Sequence, residues 1–569
     1  MIGLPHRTRT TFVAITAALA AATSVASAQS NRFNVSIAPE AHAGPLTGRL
    51  VLLISKQKTP EPRLALSPRG PAVFGVDLNQ LAPNHDAIVD DSAIGYPTSL
   101  SALPPGDYFV EAVVNVYEQV HRSDGHNIWV HMNDGRVEFF NFAAGNLYSD
   151  VMPVHIGDGG TLHLTVNHVI PPAKKPVDTE WIKHVQIQSQ MLTKFWGRPV
   201  FVNATVLLPK GYASHPSTLY PIIFPLGHGA EPFGFTPDSS AEGDGGERNT
   251  IEMRRGARIN VNSGLENGYD FYKKWTSDGF PRVVAVTLEQ MTPYFPDSYS
   301  TNSANNGPYG DAIVQEVVPY LEQHFHILRK PYARQLEGAS TSGWQTLAMQ
   351  LQHPDFFGGA WVLQPDPIDF RHYQLTNIYD DSNAFSKASG DFDSIEHPFQ
   401  RTTEGQVVLT NRQLSRFEAV LGSHGRSGYQ LEAWEAVYGP IGPDGYPVPL
   451  WDKLTGKIDH STATYMRDHG FDLRAYLEQH WSELGPKLTG KLHFFAGDMD
   501  NFYLNLAVYD IETFLNGSTN PHSDADFTYG RPKKGHGWHS FTWAEMVQKM
   551  GVAIKSAAPA GESTSGWNY

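Results

Sequence analysis

The sequence predicts two domains: an all-β domain, then a larger α/β domain with a mainly parallel sheet and helices on both faces. Two observations predict this order. Short apolar runs, many of them alternating and all separated by turn residues, fill residues 33–166 and are typical of antiparallel β structure. Farther along, buried apolar runs alternate with helical periodicity, which is the pattern of a parallel sheet covered by helices. The 569 residues are enough for both domains.

The chain begins with a predicted secretory signal peptide at residues 1–28. Arg7 and Arg9 precede a weakly apolar run at 12–25, and Ala26-Ser27-Ala28 has the form of a cleavage site. The run is rich in Ala and Thr and too short for a membrane span, which argues against a retained anchor. We therefore expect a mature protein that starts at Gln29 and is secreted or periplasmic.

Composition excludes several partners and chemistries. The chain has no cysteine, so disulfides, a thiolate nucleophile and cysteine metal sites are absent. Its formal net charge is -15, from 43 Lys and Arg against 58 Asp and Glu, and no basic cluster stands out. Nucleic acid and anionic membranes are therefore poor partners, and no membrane insertion is expected. The oligomeric state is left open.

The first domain is predicted to be a β-sandwich at residues 29–170. Turn residues at 104–107 and 157–160 separate its predicted strands, and the turn at 103–108 looks like the corner of an immunoglobulin-like module. The strands are predicted at residues 48–54, 108–114, 127–131 and 161–166. A linker rich in proline and lysine is expected at 171–190.

The second domain is predicted to be α/β and to span residues 191–555. Apolar runs predict strands at 201–209, 220–226, 282–287 and 491–495, and apolar residues at helical spacing predict an amphipathic helix over 309–325. Because the carboxyl ends of parallel strands meet at one edge of a sheet, polar residues that follow these strands can converge on one site. Residues 556–569 are expected to be a flexible tail.

The candidate nucleophile is Ser340, in the motif Gly338-x-Ser340-x-Ser342 before a predicted buried helix. A reactive serine on a sharp turn from strand to helix needs small neighbours two positions away on either side, because the two backbones nearly touch there. The alternative is a turn rich in Gly and Ser without chemistry. The other residues of the candidate site decide between these interpretations.

A serine nucleophile needs a base and an orienting carboxylate, which follow it in the order acid, then histidine, in this architecture. Asp500 lies three residues after Gly497, beyond the strand at 491–495, and is the candidate acid. Asp498 is the reserve. Either carboxylate could instead cap the helix predicted to begin near Phe502, and for Asp498 this interpretation is favoured.

The candidate base is His536, which stands between Gly535 and Gly537 and can therefore lie on a loop that reaches the serine. His539 is the alternative, but its neighbours are bulkier and it could pack or support the loop. We expect Asp500 to bond the ring nitrogen of His536 that faces away from Ser340. We expect Asp498 to bond backbone amides or to face solvent.

At residues 185–555 the chain resembles the putative-esterase (esterase D-like) family of α/β-hydrolases, which includes feruloyl esterases, acetylxylan esterases and mycolyltransferases. The resemblance rests on motifs in order along the chain, at residues 207–212, 220–229, 306–311, 316–322, 338–342, 353–359, 497–500 and 535–538. Family members usually carry glycine at the position of Ser342. A long segment at about 366–484 separates the serine from the acid and looks like a cap.

The resemblance implies an α/β-hydrolase fold and a serine esterase with no metal or cofactor. Ser340 would attack the ester carbonyl, His536 would take the proton, and Asp500 would hold the imidazole. The oxyanion would bond the N–H of Thr341 and that of Gly229 or Ala230. The loop at 238–247 could bind calcium, but a solvated turn is favoured.

Three functions from different classes stay open at this point. The first is a hydrolase of small-molecule or polysaccharide-linked esters, including carbohydrate-linked acyl or feruloyl esters. The second is an acyltransferase on the same three residues, in which a sugar hydroxyl replaces water. The third is a carbohydrate- or surface-binding protein with a vestigial triad, and the correct order of all three side-chain types argues against it.

Overall fold

The structure is a computed structural model that describes residues 31–83, 85–132, 139–227, 231–239, 266–567 and 569. The predicted signal peptide lies outside these described residues. In the described part of the chain, no helix is both long enough and apolar enough to cross a membrane.

The first domain is all-β. Its strands are β1 (Asn31–Ile37), β2 (Leu46–Ser55), β3 (Ala72–Leu81), β4 (Ala87–Val89), β5 (Ile94–Tyr96), β6 (Gly106–Val116), β7 (Glu118–His121), β8 (Asn127–Val130), β9 (Leu147–Ser149), β10 (Met152–Ile156) and β11 (Gly160–Val169). Within the described residues one sheet has the order β4-β1-β11-β9-β6-β2-β3-β5, β10 pairs with β6, and β7 and β8 form a separate hairpin. The strands follow one hydrogen-bonded path, and β1 pairs with β11 in parallel. An immunoglobulin-like sandwich therefore stays a prediction.

The second domain contains an eight-stranded sheet. Its strands are β12 (Ile182–Ser189), β13 (Val200–Leu207), β14 (Ile222–Pro225), β15 (Val284–Glu289), β18 (Arg334–Ser340), β19 (Gly359–Pro365), β24 (Leu492–Gly497) and β25 (Asp526–Gly530). A separate short hairpin of β16 (Asn302–Ser303) and β17 (Gly307–Pro308) lies between β15 and β18 along the chain. The order is β12-β13-β15-β14-β18-β19-β24-β25. β12 and β13 are antiparallel to their neighbours, and the pairs from β15 to β25 are parallel. Such a sheet places the ends of β18, β24 and β25 at one edge.

This part of the chain also contains helices. They are α1 (Gln190–Trp196), α2 (Gly268–Trp275), α3 (Tyr309–Ala312), α4 (Val318–His324), α5 (Thr341–Gln352), α6 (Asn411–Leu421), α7 (Gln430–Tyr438), α8 (His460–Asp468), α9 (Leu473–Leu488), α10 (Asn505–Gly517) and α11 (Trp543–Ala557). A π-helical turn at Ile313–Val317 joins α3 to α4, so these segments together correspond to the amphipathic helix predicted over 309–325.

The predicted strands at 201–209, 220–226, 282–287 and 491–495 correspond to β13, β14, β15 and β24. The linker expected at 171–190 is shorter in the structure, because β12 begins at Ile182 and pairs along β13. The end of the expected flexible tail packs against the domain. Trp567 is 2% exposed, and the hydroxyls of Tyr569 and Tyr220 lie 2.6 Å apart.

The segment between β19 and β24 includes the predicted cap at 366–484. It contains α6 to α9 and the short strands β20 (Ser386–Ala388), β21 (Ser394–Glu396), β22 (Pro398–Arg401) and β23 (Val407–Thr410). The two faces of β2 show how this segment joins the first domain. Leu52 points into the β domain's own core, whereas Val51 shares a core with Phe417 of α6. The insertion is thus packed between the two domains.

Candidate active site

Ser340 lies at the turn between β18 and α5. Its backbone has φ 60° and ψ -121°, a conformation that residues other than glycine rarely adopt. The half-buried side chain is therefore presented at the carboxyl edge of the sheet, directly before the first turn of a helix. This is the geometry of a nucleophile elbow.

Two glycines allow the close approaches that this turn needs. A Cβ at Gly338 would lie 2.3 Å from the carbonyl oxygen of Ser342. A Cβ at Gly343 would lie 2.6 Å from the carbonyl oxygen of Leu363 on β19. The glycine that the family usually has at the position of Ser342 is thus not required here, because the tight contact with the neighbouring strand falls one residue later.

Asp500 lies in the loop after β24 and is fully buried. One of its carboxylate oxygens accepts hydrogen bonds from the backbone amides of Phe502 (2.8 Å) and Leu504 (3.2 Å). The other oxygen lies 2.8 Å from Nδ1 of His536. Asp498 is turned elsewhere and accepts the backbone amide of Lys534 at 2.8 Å. The structure therefore pairs Asp500, and not Asp498, with a histidine.

His536 is 7% exposed and lies in the loop after β25. The amide side chain of Asn501 accepts its backbone N–H at 2.9 Å, and its ring stands edge-on to Phe502. With Nδ1 bonded to Asp500, Nε2 lies on the side of the ring away from that carboxylate. His539 instead bonds the carbonyl of Phe541 through Nδ1 and stacks on that ring.

A second buried carboxylate, Asp366, touches the nucleophile. It follows β19, and its Oδ1 lies 3.3 Å from Oγ of Ser340. Burial raises the pKa of Asp366, while the charge of His536 acts on that carboxyl in the opposite direction. Ser340 and His536 are thus both close to one carboxyl group.

The sequence reasoning missed Asp366. It placed this residue at the start of the insertion and did not predict β19. The available signal was the apolar run at 359–365, which is followed directly by an acidic residue.

The expected oxyanion donors are only partly described. Thr341 is the first residue of α5, so its N–H belongs to the helix start, where amides have no partner within the helix. Gly229 and Ala230 lie outside the described residues, as does most of the loop at 238–247. The last described residue before them is Gly227, where a Cβ would lie 3.9 Å from Oγ of Ser342. The end of β14 therefore approaches the elbow.

The insertion supplies part of the site. Arg401, at the end of β22, donates from Nε to the carbonyl oxygen of Asp500 at 2.9 Å. The backbone N–H of Arg401 also bonds the carbonyl of Asn501 at 2.8 Å. On the other side, Gln430 and Trp434 of α7 donate to Oδ2 of Asp366, each at 3.1 Å. The insertion therefore forms hydrogen bonds with both loops that carry the buried carboxylates.

Part of the α/β domain matches a known sequence family. The sequence model of the family described as "Putative esterase" matches residues 202–370. No curated protein matched the chain.

Solved structures also matched the chain. The S-formylglutathione hydrolase of Staphylococcus aureus is 15% identical, with 66% of this chain and 98% of that one covered and a TM-score of 0.30. A ferulic acid esterase of Anaeromyces mucronatus is 13% identical, with 67% and 93% covered and a TM-score of 0.27. MPT51 of Mycobacterium tuberculosis is 12% identical, with 66% and 99% covered and a TM-score of 0.32. The sequence match lies within the α/β domain, at residues 202–370, and supports a carboxylic-ester hydrolase.

Proposed function

We propose that the protein cleaves carboxylic esters through an acyl-enzyme on Ser340, with His536 as general base and Asp500 as its orienting carboxylate. The observation that carries this proposal is the 2.8 Å contact between the buried Asp500 and Nδ1 of His536. It lies at the same sheet edge as a serine with the backbone of a nucleophile elbow. Serine, acid and histidine follow β18, β24 and β25, the chain order of this architecture.

The chemistry follows from the charges that develop. A serine hydroxyl is a weak nucleophile, so His536 must accept its proton as Oγ attacks the ester carbon. Asp500 stabilises the imidazolium that forms and keeps Nε2 directed toward Ser340. The alcohol leaves with the proton from His536. Water then attacks the acyl-enzyme, again with His536 as base.

The oxyanion of the tetrahedral intermediate needs donors that are already in place. We assign one to the N–H of Thr341, at the start of α5 and directly after the nucleophile. We assign the second to Gly229 or Ala230, after β14. Loss of one such donor costs about 100- to 1000-fold in rate.

We extend the proposal to substrate and location. Acyl or feruloyl esters attached to carbohydrates are the proposed class, since the esterase D-like group includes enzymes that act on them. The pattern at residues 1–28 supports export. Amino-terminal sequencing of the mature protein from its native host should then read from Gln29, and an unprocessed chain would contradict export.

The test of the nucleophile is labelling with a fluorophosphonate probe, followed by mapping of the modified peptide. We expect the label on Ser340. Ser340→Ala should abolish labelling and lower kcat on p-nitrophenyl acetate by about a million-fold while the protein stays folded. Ser342→Ala is the matched control, two residues away in the same turn, and should keep its label. Turnover by Ser340→Ala, or a label on Ser342, would contradict the assignment.

The substrate class is tested separately on the wild-type protein. Methyl ferulate and acetylated xylan are compared with p-nitrophenyl acetate as substrates. Higher kcat/KM on methyl ferulate or on acetylated xylan supports the proposed class. Activity confined to p-nitrophenyl acetate would contradict it and leave the nucleophile unaffected.

A further inference from the structure

The two oxygens of Asp366 have different surroundings. Four donors lie within hydrogen-bond distance of Oδ2: the hydroxyls of Tyr299 (2.7 Å) and Thr341 (3.2 Å), the amide of Gln430 (3.1 Å) and the indole N–H of Trp434 (3.1 Å). Gln430 and Trp434 share their N–H groups between this oxygen and the hydroxyl of Tyr299. Oδ1 lies 3.3 Å from Oγ of Ser340. The indole of Trp434 and the amide nitrogen of Gln430 can only donate. Any proton carried by the carboxyl group is therefore placed on Oδ1, facing the nucleophile.

Burial disfavours a negative charge on Asp366 and raises its pKa, although the hydrogen-bond donors around the carboxyl group and the charge of His536 act in the opposite direction. The residue is 3% exposed, and in the described part of the chain no lysine or arginine forms an ion pair with it. Its titratable neighbours are His536, Asp297, Tyr299, Tyr373 and Tyr438. Only His536 among them can carry a positive charge. Burial raises the pKa of Asp366 and also raises that of Asp297, to about 7.

A charged Asp366 would also oppose the reaction. Negative charge develops on Oγ of Ser340 as it gives up its proton, and again when the acyl-enzyme breaks. A carboxylate 3.3 Å away repels that charge, whereas a neutral carboxyl group donates to it. Enzymes do keep a carboxylic acid neutral in an apolar site so that it can donate a hydrogen bond.

We propose that Asp366 is a neutral carboxylic acid that donates a hydrogen bond from Oδ1 to Oγ of Ser340, and is thus a further catalytic residue. This inference rests on the proposed function, since it needs Ser340 as nucleophile. Its main effect falls on deacylation. Water adds to the acyl carbon and gives its proton to His536, and the C–Oγ bond then breaks with its electron pair moving to Oγ. Oγ takes the proton back from His536, while Asp366 keeps its own proton throughout and stabilises the charge on Oγ.

Asp366→Asn and Asp366→Ala test the proposal together. The asparagine oxygen can accept the four donors at the Oδ2 position, and its NH2 can donate to Ser340 as the neutral acid does. We expect Asp366→Asn to keep kcat within about tenfold, and Asp366→Ala to lower it by about 100- to 1000-fold. In the alanine variant the burst with p-nitrophenyl acetate should persist and KM should fall with kcat, because deacylation limits turnover. Asp297→Asn is the control, a buried acid of the same region that does not contact Ser340.

The pH profile and infrared spectrum give readouts that a structural role would not move. Wild-type kcat should fall on the alkaline side as Asp366 ionises, and Asp366→Asn should lack that limb. The difference spectrum of wild type minus Asp366→Asn, at neutral pH, should show the C=O stretch of a protonated carboxyl group, and this readout holds even if Asp366→Ala does not fold. Equal losses in both variants, no loss in either, or absence of that band would each overturn the proposal. If the fluorophosphonate instead fails to label Ser340, the proposed function fails, while the infrared band still decides the state of Asp366.

Discussion

The loops after β19 and β24 each place a buried carboxylate at the same sheet edge, and the two differ in their partners. Asp500 accepts two backbone amides on one oxygen and an imidazole on the other. Asp366 is surrounded by neutral side-chain donors and meets the serine hydroxyl. An imidazole bonded directly to a carboxylate can become positive and stabilise its charge, whereas burial without an ion pair disfavours the charged form. Position on the sheet thus brings an acidic residue to the site, and its hydrogen-bond partners decide what it can do there.

The largest effect in this comparison is expected at the imidazole of His536, which is bonded to Asp500. His536→Ala should lower kcat by about 10⁵- to 10⁶-fold, because Ser340 then has no base. Its matched control is His539→Ala, three residues later and also buried. That variant should change stability or KM and leave kcat nearly intact, as measured on p-nitrophenyl acetate. The reverse result would mean that the loop adopts another conformation during catalysis.

The next effect concerns Asp500 itself. Asp500→Asn should lower kcat by about 10⁴-fold, because the amide no longer fixes the tautomer of His536 or stabilises its cation. Asp498→Asn, in the same loop, removes only an acceptor for the amide of Lys534 and should keep kcat within a few-fold. Steady-state kinetics of both variants, with circular dichroism to check folding, measures the difference. Similar losses of kcat in the two variants would contradict the assignment of Asp500, and not Asp498, as the orienting carboxylate.

The smallest effect is on stability and concerns Asp297, the buried acid behind Asp366. Burial raises its pKa to about 7 from an ordinary value of 3.8. The folded protein therefore holds a proton that the unfolded chain has lost, so this contribution to stability is present below pH 4 and is lost as pH rises through 7. Asp297→Asn keeps an acceptor for Gln345 and removes the titration.

We expect wild type to lose about 2–4 kcal/mol of unfolding free energy relative to Asp297→Asn between pH 4 and pH 8. Urea unfolding of both proteins across this range measures it. Asp158→Asn, at an exposed site, is the control and should follow wild type. Parallel pH curves for wild type and Asp297→Asn would show that Asp297 ionises normally.

Much of the site could be predicted because its signals are local. Glycine spacing around Ser340, Asp500 and His536 reflects backbone turns, and the order of strands brings the three loops to one edge. The contact between Asp500 and His536 follows from that reasoning. The flanking glycines of His536 favour it over His539 as the base. In the structure, Nδ1 of His539 bonds the backbone carbonyl of Phe541.

The rest depends on contacts distant in sequence. β12 has few apolar residues because it is an edge strand, so it was interpreted as linker. Trp567 packs at the end of the chain through a surface that no periodicity reveals. Asp366 was missed because its donors Tyr299, Gln430 and Trp434 come from segments more than sixty residues away on either side.

The backbone conformation of Ser340 is expected to lower the stability of the protein at the residue proposed for catalysis. A left-handed, strained conformation costs about 1–3 kcal/mol for a residue with a side chain, and glycine adopts it freely. We therefore expect Ser340→Gly to be inactive and to resist heat better than wild type. Selection of variants for thermal tolerance alone would then favour loss of the proposed nucleophile, so turnover has to be selected in the same step.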